Sequence, residues 1–158
     1  MNTLIVYATK HGATERAAKK LSEKLNGNVD CFNLKKNIPE SMDGYERVVL
    51  GTSVYAGKLH KEFVEFIKKN EEKLKKKEYA FFVCCGFETK AETYLRENFS
   101  DEIVDGALFV KYFGQEIVWK KMKLYERAAM IMVAKVKKDV HDIRDKEIEE
   151  AAEILDAV

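Results

Sequence analysis

The sequence predicts an α/β fold, in which helices cover both faces of a doubly wound parallel sheet of five strands. Strand-like and helix-like segments alternate along the chain, which is typical of parallel sheets. The first strand also runs through a short glycine-containing loop into a helix. At 158 residues the chain has the length of one typical domain, and no repeat or low-complexity linker divides it. We therefore expect residues 1–158 to form a single domain.

The first half of the chain supplies three of the predicted strands and two helices. Residues 4–8 are apolar, and the next helix begins at Thr14, a residue type preferred at helix N-caps, and stops at Gly27. Alternating polarity predicts an edge strand after this helix, and a short apolar run predicts a central strand. The predicted elements are strand 4–8, helix 14–26, strand 29–34, strand 47–51 and helix 60–74.

The second half supplies the last two strands and three helices. Residues 79–85 are the strongest strand candidate because they are apolar and rich in aromatic side chains. The C-terminal helix places Ile148, Ala151 and Leu155 on one face. A five-stranded fold of this class needs one final helix to close, so one helix is extra. The predicted elements are strand 79–85, helix 91–99, strand 106–110, helix 119–138 and helix 145–157.

The predicted helix at 119–138 is unusually basic, with seven basic residues against one acidic residue, Glu126. The basic residues are Lys120, Lys121, Lys123, Arg127, Lys135, Lys137 and Lys138, and Trp119 with several methionines adds apolar surface. Cationic and apolar side chains on one helix suit a peripheral contact with an anionic membrane surface. The alternative is a solvated charged face whose apolar side packs on the sheet. Both interpretations stay open from the sequence.

Charge and cysteine usage exclude several classes of function. The 28 basic residues are balanced by 27 acidic residues, so no nucleic-acid partner is predicted. No apolar run reaches the roughly 18 residues of a membrane span, and no signal peptide precedes the first strand, so we expect a cytoplasmic protein. Cys31, Cys84 and Cys85 are expected to be buried thiols that act as small hydrophobes. The histidines and cysteines lack metal-ligand spacing, so no metal site is predicted.

The loop between the first strand and the first helix has the chemistry of a phosphate-binding site. The first N–H groups of a helix have no intrahelical partner, and the helix dipole favours an anion there. Threonine hydroxyls add donors, and a glycine lets the backbone close around the anion. The alternative is a threonine-rich turn before an ordinary capped helix. The candidate residues are Thr9, Lys10, His11, Gly12, Ala13 and Thr14.

This loop resembles the T-x-T-G-x-T loop of flavodoxins, which wraps the phosphate of FMN. His11 stands where that pattern has a threonine. The loop lacks the patterns of nucleotide triphosphatases and of dinucleotide-binding folds. The resemblance also implies the flavodoxin-like strand order 2-1-3-4-5, in which the loops after strands one, three and four meet at one edge. The resemblance therefore implies that FMN contacts all three loops.

The second and third of these loops each combine an aromatic residue with a glycine. An aromatic side chain that stacks on the flat flavin ring stabilises binding by roughly 1 kcal/mol beyond burial. Glycine lets the backbone approach the polar atoms of the ring. The alternative is a pair of loop aromatics that cap the core. The candidate residues are Ser53, Val54, Tyr55, Ala56 and Gly57 in the second loop, and Cys84, Cys85, Gly86 and Phe87 in the third.

Residues 51–60, followed by Glu62, Phe63 and Phe66, are similar to the second flavin loop and next helix of the menaquinone-dependent protoporphyrinogen dehydrogenases. These are flavodoxin-fold enzymes that oxidise the last porphyrinogen of haem synthesis. The later part of this sequence also resembles the C-terminal part of that family. The residues concerned are Gly106, Ala107, Leu108, Tyr112, Trp119 and those of the basic helix. The segment between the fourth strand and Gly106 is shorter here than in that family.

The resemblance implies an FMN-dependent oxidoreductase that passes electrons to a quinone. The basic helix would then meet anionic lipid at the inner membrane face, or the propionates of a porphyrin. A flavodoxin-type carrier that exchanges electrons with a redox partner protein is the alternative. A third hypothesis is a phosphate-binding regulatory domain without flavin. Because a flavin supplies most of the chemistry itself, no catalytic side chain is assigned.

Overall fold

A parallel sheet forms the centre of the protein in the computed structural model, which describes residues 1–135 and 137–158. The strands are β1 (Asn2–Ala8), β2 (Asn28–Asn33), β3 (Arg47–Tyr55), β4 (Lys58–Leu59), β5 (Glu78–Cys84), β6 (Val110–Tyr112), β7 (Gly114–Ile117) and β8 (Val140–Ile143). Five of them pair in parallel in the order β2-β1-β3-β5-β6. With the two-residue β4 set aside, this is the predicted order 2-1-3-4-5. β4 pairs antiparallel with the end of β3, and β7 with β8.

Helices cover both faces of the sheet, as the alternation of segments predicts. The helices are α1 (Ala13–Lys24), α2 (Lys61–Leu74), α3 (Ala91–Arg96), α4 (Asp101–Asp105), α5 (Leu124–Ala134) and α6 (Asp145–Asp156). Leu21 of α1 and Ile148 of α6 share one buried cluster with Phe82 of β5. Phe63 of α2 shares the cluster on the opposite face with Phe81. The protein therefore has a doubly wound α/β architecture, in which helices pack on both faces of the parallel sheet.

The pairing register brings three loops to one edge of the sheet. Ala8, the last residue of β1, lies opposite Thr52 of β3. Ser53 of β3 lies opposite Cys84, the last residue of β5. The carboxyl ends of parallel strands point the same way, so the chain leaves β1, β3 and β5 at neighbouring positions. The three loops that the sequence analysis singles out therefore adjoin.

The fifth parallel strand lies later in the sequence than predicted. The prediction places it at 106–110, whereas β6 begins at Val110. Gly106 ends α4, because its N–H bonds the carbonyl of Glu102 at 3.0 Å. The N–H of Leu108 already bonds the carbonyl of Tyr79, so the chain joins the sheet two residues before β6 starts. The preceding helix, predicted at 91–99, is divided into α3 and α4.

The predicted loop at 52–59 is a β-hairpin. β3 continues through Tyr55, and β4 turns back along it with Val54 opposite Leu59. The two turn residues, Ala56 and Gly57, both have left-handed backbones with φ of 49° and 73°. Positive φ at both positions is what a two-residue hairpin turn requires. Ser53, Val54 and Tyr55 are therefore strand residues and not loop residues.

The basic segment forms a shorter helix than the predicted 119–138. Trp119–Lys121 is a single 3-10 turn, and α5 follows it and ends where Lys135 adopts a φ of 54°. Position 136 of the predicted helix lies outside the described residues, and Lys137 and Lys138 are not helical. The next element is β8, a strand that helical periodicity does not reveal.

The apolar residues of α5 face solvent. Leu124, Met132 and Val133 are 81%, 83% and 79% exposed, and Tyr125 is 61% exposed. The interpretation in which the apolar side of this helix packs on the sheet is therefore wrong, since the sheet already has α2, α3 and α4 on one face and α1 and α6 on the other. Within the part of the chain that the structure describes, no helix is long and apolar enough to cross a membrane.

β2 is an edge strand, as its alternating polarity predicts. Its position has a consequence for the cysteines, because an edge strand exposes more of its side chains. Cys31 of β2 is exposed, so the prediction of a buried thiol is wrong for this residue. Cys84 and Cys85 are buried as predicted.

Candidate functional site

The loop after β1 closes on itself before α1 begins. Gly12 has a left-handed φ of 92° and donates its N–H to Oγ1 of Thr9 at 3.0 Å. Gly12 is also the N-cap of α1, and no side chain caps the first turn there. The prediction that Thr14 is the cap is wrong, because the turn at Gly12 starts the helix earlier and places Thr14 inside the first turn. The first N–H groups of α1 are therefore left for water or a ligand.

Three buried side-chain atoms around this loop have no hydrogen-bond partner among the described residues: Oγ1 of Thr14, Nε2 of His11 and Nε of Arg16. Buried polar atoms in native proteins nearly always have partners, so a group of such atoms indicates a missing polar ligand. The φ of 92° favours glycine at position 12, and a Cβ added there would lie 2.9 Å from Nη1 at the movable end of the Arg16 side chain. The hydroxyl and guanidinium donors fit a phosphate.

The next part of the site is the end of β3. Oγ of Ser53 lies 2.8 Å from Nε2 of His60, the residue before α2. Burial lowers the pKa of His60 to about 4, so its ring is neutral at pH 7. Val54 and Tyr55 follow on the strand and are half-buried, while Ala56 and Gly57 form the exposed turn. The Ser53–His60 contact fixes the hairpin to the start of α2.

A carboxylate from α5 joins the first two segments of the site. Oε1 of Glu126 accepts hydrogen bonds from Nζ of Lys10 at 2.6 Å and from the hydroxyl of Tyr55 at 2.7 Å. Oε2 accepts the backbone N–H of Lys123 at 2.8 Å and lies 3.6 Å from Nε2 of His11. Nζ of Lys10 also lies 3.8 Å from the centre of the Tyr55 ring. We call these four side chains, Lys10, His11, Tyr55 and Glu126, the clasp.

The clasp is electrostatically matched. Burial alone would raise the pKa of Glu126, but hydrogen bonds from Lys10, Tyr55 and the Lys123 N–H outweigh it and lower the pKa to about 2. The hydrogen bonds to Glu126 and Tyr55 raise the pKa of Lys10. Burial lowers the pKa of His11, against the attraction of Glu126, and favours the neutral ring. At neutral pH the clasp therefore contains one carboxylate and one ammonium ion.

The third loop follows β5. Its backbone is tied to the sheet, because the Cys85 N–H bonds the carbonyl of Gly114 at 3.2 Å and the Tyr112 hydroxyl bonds the carbonyl of Cys85 at 2.9 Å. Burial raises the pKa of the Cys85 thiol, which donates to the carbonyl of Phe87. Gly86 is exposed, and the Phe87 ring is 53% exposed. An exposed aromatic ring beside a glycine is available to a ligand.

The structure thus joins some predicted site residues directly and others only through the sheet. Lys10 and His11 of the first segment contact Tyr55 of the second. The third loop adjoins them through the register of Ser53 with Cys84. Thr9, Ala13 and Thr14 are buried at the base of the first loop.

Sequence reasoning missed Glu126, His60 and Arg16 as site residues. Glu126 had a signal, since it is the single acidic residue in a segment with seven basic ones. No signal in the sequence marked His60 or Arg16 as a site residue. The role of His60 depends on its contact with Ser53, and that of Arg16 on its contact with Glu116 of β7.

Comparison with known proteins assigns the family. A family model described as a flavodoxin domain matches residues 4–144, which is most of the chain. The chain belongs to the flavodoxin-domain family. Solved flavodoxins share its fold: that of Fusobacterium nucleatum, bound to flavin mononucleotide, superposes with a TM-score of 0.59 at 16% identity, covering 99% of this chain and 97% of that one. A flavodoxin of Streptococcus pneumoniae gives a TM-score of 0.61 at 16% identity, covering 99% of each chain.

Two curated proteins are more similar in sequence to this flavodoxin-domain chain than these solved flavodoxins are. An uncharacterized protein of Methanocaldococcus jannaschii is 32% identical over 106 residues, which cover 66% of this chain and 65% of that protein. The quinone-type protoporphyrinogen IX dehydrogenase of Escherichia coli K12 is 33% identical over 85 residues, 52% of this chain and 47% of that enzyme. The chain therefore spans less than two thirds of the length of these curated relatives.

Proposed function

We propose that this protein is a flavodoxin-type redox protein whose cofactor is FMN. The observation that carries the proposal is the group of unsatisfied buried donors around Thr14, His11 and Arg16, at the carboxyl edge of the parallel sheet. Ligands of doubly wound folds bind at this edge, and phosphate oxygens are the acceptors that these donors lack. Membership of the flavodoxin-domain family and the FMN of the Fusobacterium nucleatum neighbour support the same cofactor.

Bound FMN would supply reversible electron transfer through its ring system. The chain's own contribution is binding and orientation. Thr9, Thr14 and the first N–H groups of α1 are the donors for the phosphate. The segments 53–57 and 85–87 flank the ring, with Tyr55 and Phe87 as aromatic surfaces, and Gly57 and Gly86 admit the backbone to polar ring atoms.

We infer that the electrons pass to a quinone in an oxidoreductase of the protoporphyrinogen dehydrogenase type. The 33% identity to the Escherichia coli enzyme supports an oxidoreductase of this type. The basic residues beside the site also suit a substrate with carboxylate side chains, because Lys120, Lys121 and Lys123 are exposed while Glu126 of α5 is buried. A flavodoxin-type carrier that docks on a redox partner protein is the second candidate, favoured by solved flavodoxins that match the chain along 99% of its length.

The test has two steps. FMN is first titrated into the flavin-free protein, and its binding is followed by quenching of flavin fluorescence. Anaerobic protoporphyrinogen oxidation with a menaquinone analogue is then measured on the loaded protein. Binding with turnover is the expected result. Binding without turnover selects the carrier, and a protein that FMN cannot reconstitute refutes both candidates.

We also propose that the segment 119–138 makes a peripheral contact with the cytoplasmic face of an anionic membrane. That membrane would hold the quinone acceptor of the proposed reaction. The apolar residues Leu124, Met132 and Val133 are exposed beside the basic ones. Glu126, the one acid of the segment, is buried against Lys10, so it does not offset the positive charge that solvent meets. Basic residues near a negatively charged bilayer each contribute about 1 kcal/mol to attraction.

Sedimentation with vesicles that contain phosphatidylglycerol tests the contact. The variant Lys120→Glu/Lys121→Glu/Lys123→Glu is expected to lose binding. The matched control reverses three exposed lysines on α2, Lys61→Glu/Lys68→Glu/Lys69→Glu, and is expected to keep it. Equal binding by the two variants, or none by the wild-type chain, contradicts the membrane contact.

A further inference from the structure

The helix α5 has an inverted pattern of burial. A surface helix is normally held by an apolar face, with its charged residues in water. In α5 the large apolar side chains Leu124, Met132 and Val133 are exposed, and the buried residue is Glu126, at 5% exposure. Burial of apolar surface therefore contributes little to the docking of this helix. Something other than the hydrophobic effect holds it against the sheet edge.

Glu126 supplies that attachment. Its two oxygens accept hydrogen bonds from the loop after β1, from the end of β3 and from the first turn of α5 itself, with distances of 2.6, 2.7 and 2.8 Å. One residue thus connects α5 to both the first and the second segments of the candidate site. Lys10 is the only clasp member with a full opposite charge at neutral pH, because burial lowers the pKa of His11.

We propose that Glu126 is a positioning residue that holds α5 as a closed lid over the edge formed by residues 9–14 and 53–57. When the attachment opens, water solvates the released carboxylate and ammonium groups, which offsets part of the cost of breaking their hydrogen bonds. The backbone bounds α5 as a separate unit, because Lys123 is extended before the helix and Lys135 is left-handed after it. The lid moves as one helix when the bonds of Glu126 break.

The closed lid also neutralises Lys10. Release of Glu126 frees one positive charge beside the unpartnered polar atoms of His11 in the loop and Thr14 in the first turn of α1. The open state therefore attracts an anionic ligand, and the closed state retains it. That ligand is FMN if the proposed function holds, on which this part of the inference rests. A lid that gates the site must change the rates of ligand entry and exit together.

Hydrogen exchange of the flavin-free protein tests the attachment. Glu126→Gln removes the charge, and Tyr55→Phe removes one hydrogen bond and keeps the ring. We expect the backbone amides of α5 to exchange about tenfold faster in Glu126→Gln and less so in Tyr55→Phe, since local opening becomes easier. Met132→Gln, an exposed change on the same helix, is the control and leaves exchange unchanged. Wild-type exchange rates in Glu126→Gln overturn the proposal, whether or not FMN binds.

Stopped-flow measurement of FMN binding tests the gate. In Glu126→Gln we expect both the association and the dissociation rate constants to rise, by about fivefold or more, while Kd changes less. An increase of the dissociation rate alone would mean that Glu126 is a ligand contact, and overturns the lid. If the wild-type chain takes up no FMN, the proposed function fails, and hydrogen exchange alone decides whether Glu126 holds α5.

Discussion

At the scale of single residues, the loop after β1 combines a left-handed backbone at Gly12 with unsatisfied donors close to it. A Cβ at Gly12 is disfavoured by the φ of 92°, and it would also displace the guanidinium of Arg16, whose Nη1 lies 2.9 Å away. We expect Gly12→Val to weaken FMN binding by about a hundredfold or more, equivalent to roughly 2.7 kcal/mol, because the loop must open to admit the side chain. Titration of the flavin-free variant measures the loss.

Gly44 provides the matched control for this substitution. It has a similar left-handed φ of 87°, and nothing lies within 4 Å of the Cβ it would gain. Gly44→Val therefore carries the same backbone strain far from the site and should keep wild-type affinity. If the two variants bind FMN equally well, the phosphate site lies elsewhere.

The histidines of the site make stability depend on pH. In the unfolded chain His60 binds a proton below about 6.5, while burial lowers its pKa in the folded chain to about 4. The unfolded state therefore binds more protons in this window, so stability is full above pH 6.5 and falls as the pH drops towards 4. The pKa of His11 is shifted in the same direction.

We expect the free energy of unfolding in urea to fall by about 3 kcal/mol between pH 7.5 and pH 4 through His60 alone. His60→Gln should remove most of that dependence, because glutamine does not titrate. His141→Gln, at an exposed position on β8, is the control and should keep the wild-type slope. An unchanged slope in His60→Gln would mean that the ring is solvated in the folded protein.

At the scale of elements, the contact between β3 and β5 depends on the absence of a side chain at Gly51. A Cβ there would lie 2.0 Å from Cζ of Phe82, whose ring stacks on Phe113 at 4.6 Å. We expect Gly51→Ala to lower the free energy of unfolding by about 3 kcal/mol, since the aromatic pair must leave its position. Denaturation in urea measures the loss.

A double-mutant cycle separates this clash from a general weakness of β3. Phe82→Leu alone loses aromatic packing, but it also removes the atoms that the new Cβ meets. The cost of Gly51→Ala should therefore be much smaller in the Phe82→Leu background. Additive costs would place the strain somewhere other than at Phe82.

The helices and strands also show which parts of the fold can be predicted from the sequence. The buried strands β1, β3 and β5 are predictable because each is a short apolar run between polar residues. The pair β7–β8 was missed because its two strands are distant in sequence. The hairpin at 52–59 was missed although its strands adjoin in sequence, because its second strand has only two residues. The extent of α5 was overestimated because its basic and apolar residues continue past Lys135, where the backbone leaves the helix.

At the scale of the whole molecule, the sheet order was predictable and the clasp was not. Alternation of segments predicts a doubly wound parallel sheet, and the resemblance of the first loop to that of flavodoxins implies its strand order. Glu126 reaches Lys10 across more than a hundred residues of chain, and no local pattern encodes such a contact. The three loops were predictable as candidates because topology places strand ends together, whereas the contacts among their side chains depend on packing.

The N-terminal and C-terminal parts of the molecule are fastened together by Arg47, a fully buried cation at the start of β3. It donates to Oγ1 of Thr3 at 3.0 Å, to the carbonyl of Leu155 and to Asp156 at 3.1 Å. The last turn of α6 is thereby tied to β1 and β3. Removal of one partner from a buried ionic network leaves the others without compensation.

We expect Arg47→Met to lower the free energy of unfolding by about 3 kcal/mol, because Asp156 and the Leu155 carbonyl lose their donor in a site that water reaches poorly. Hydrogen exchange should locate the loss in the last turn of α6. Lys20→Met, which breaks the exposed ion pair with Asp145, is the comparison and should cost less than about 0.5 kcal/mol. If the two variants were equally stable, the buried arginine would not hold α6, and apolar packing of Ile148 and Leu155 would be sufficient to dock this helix.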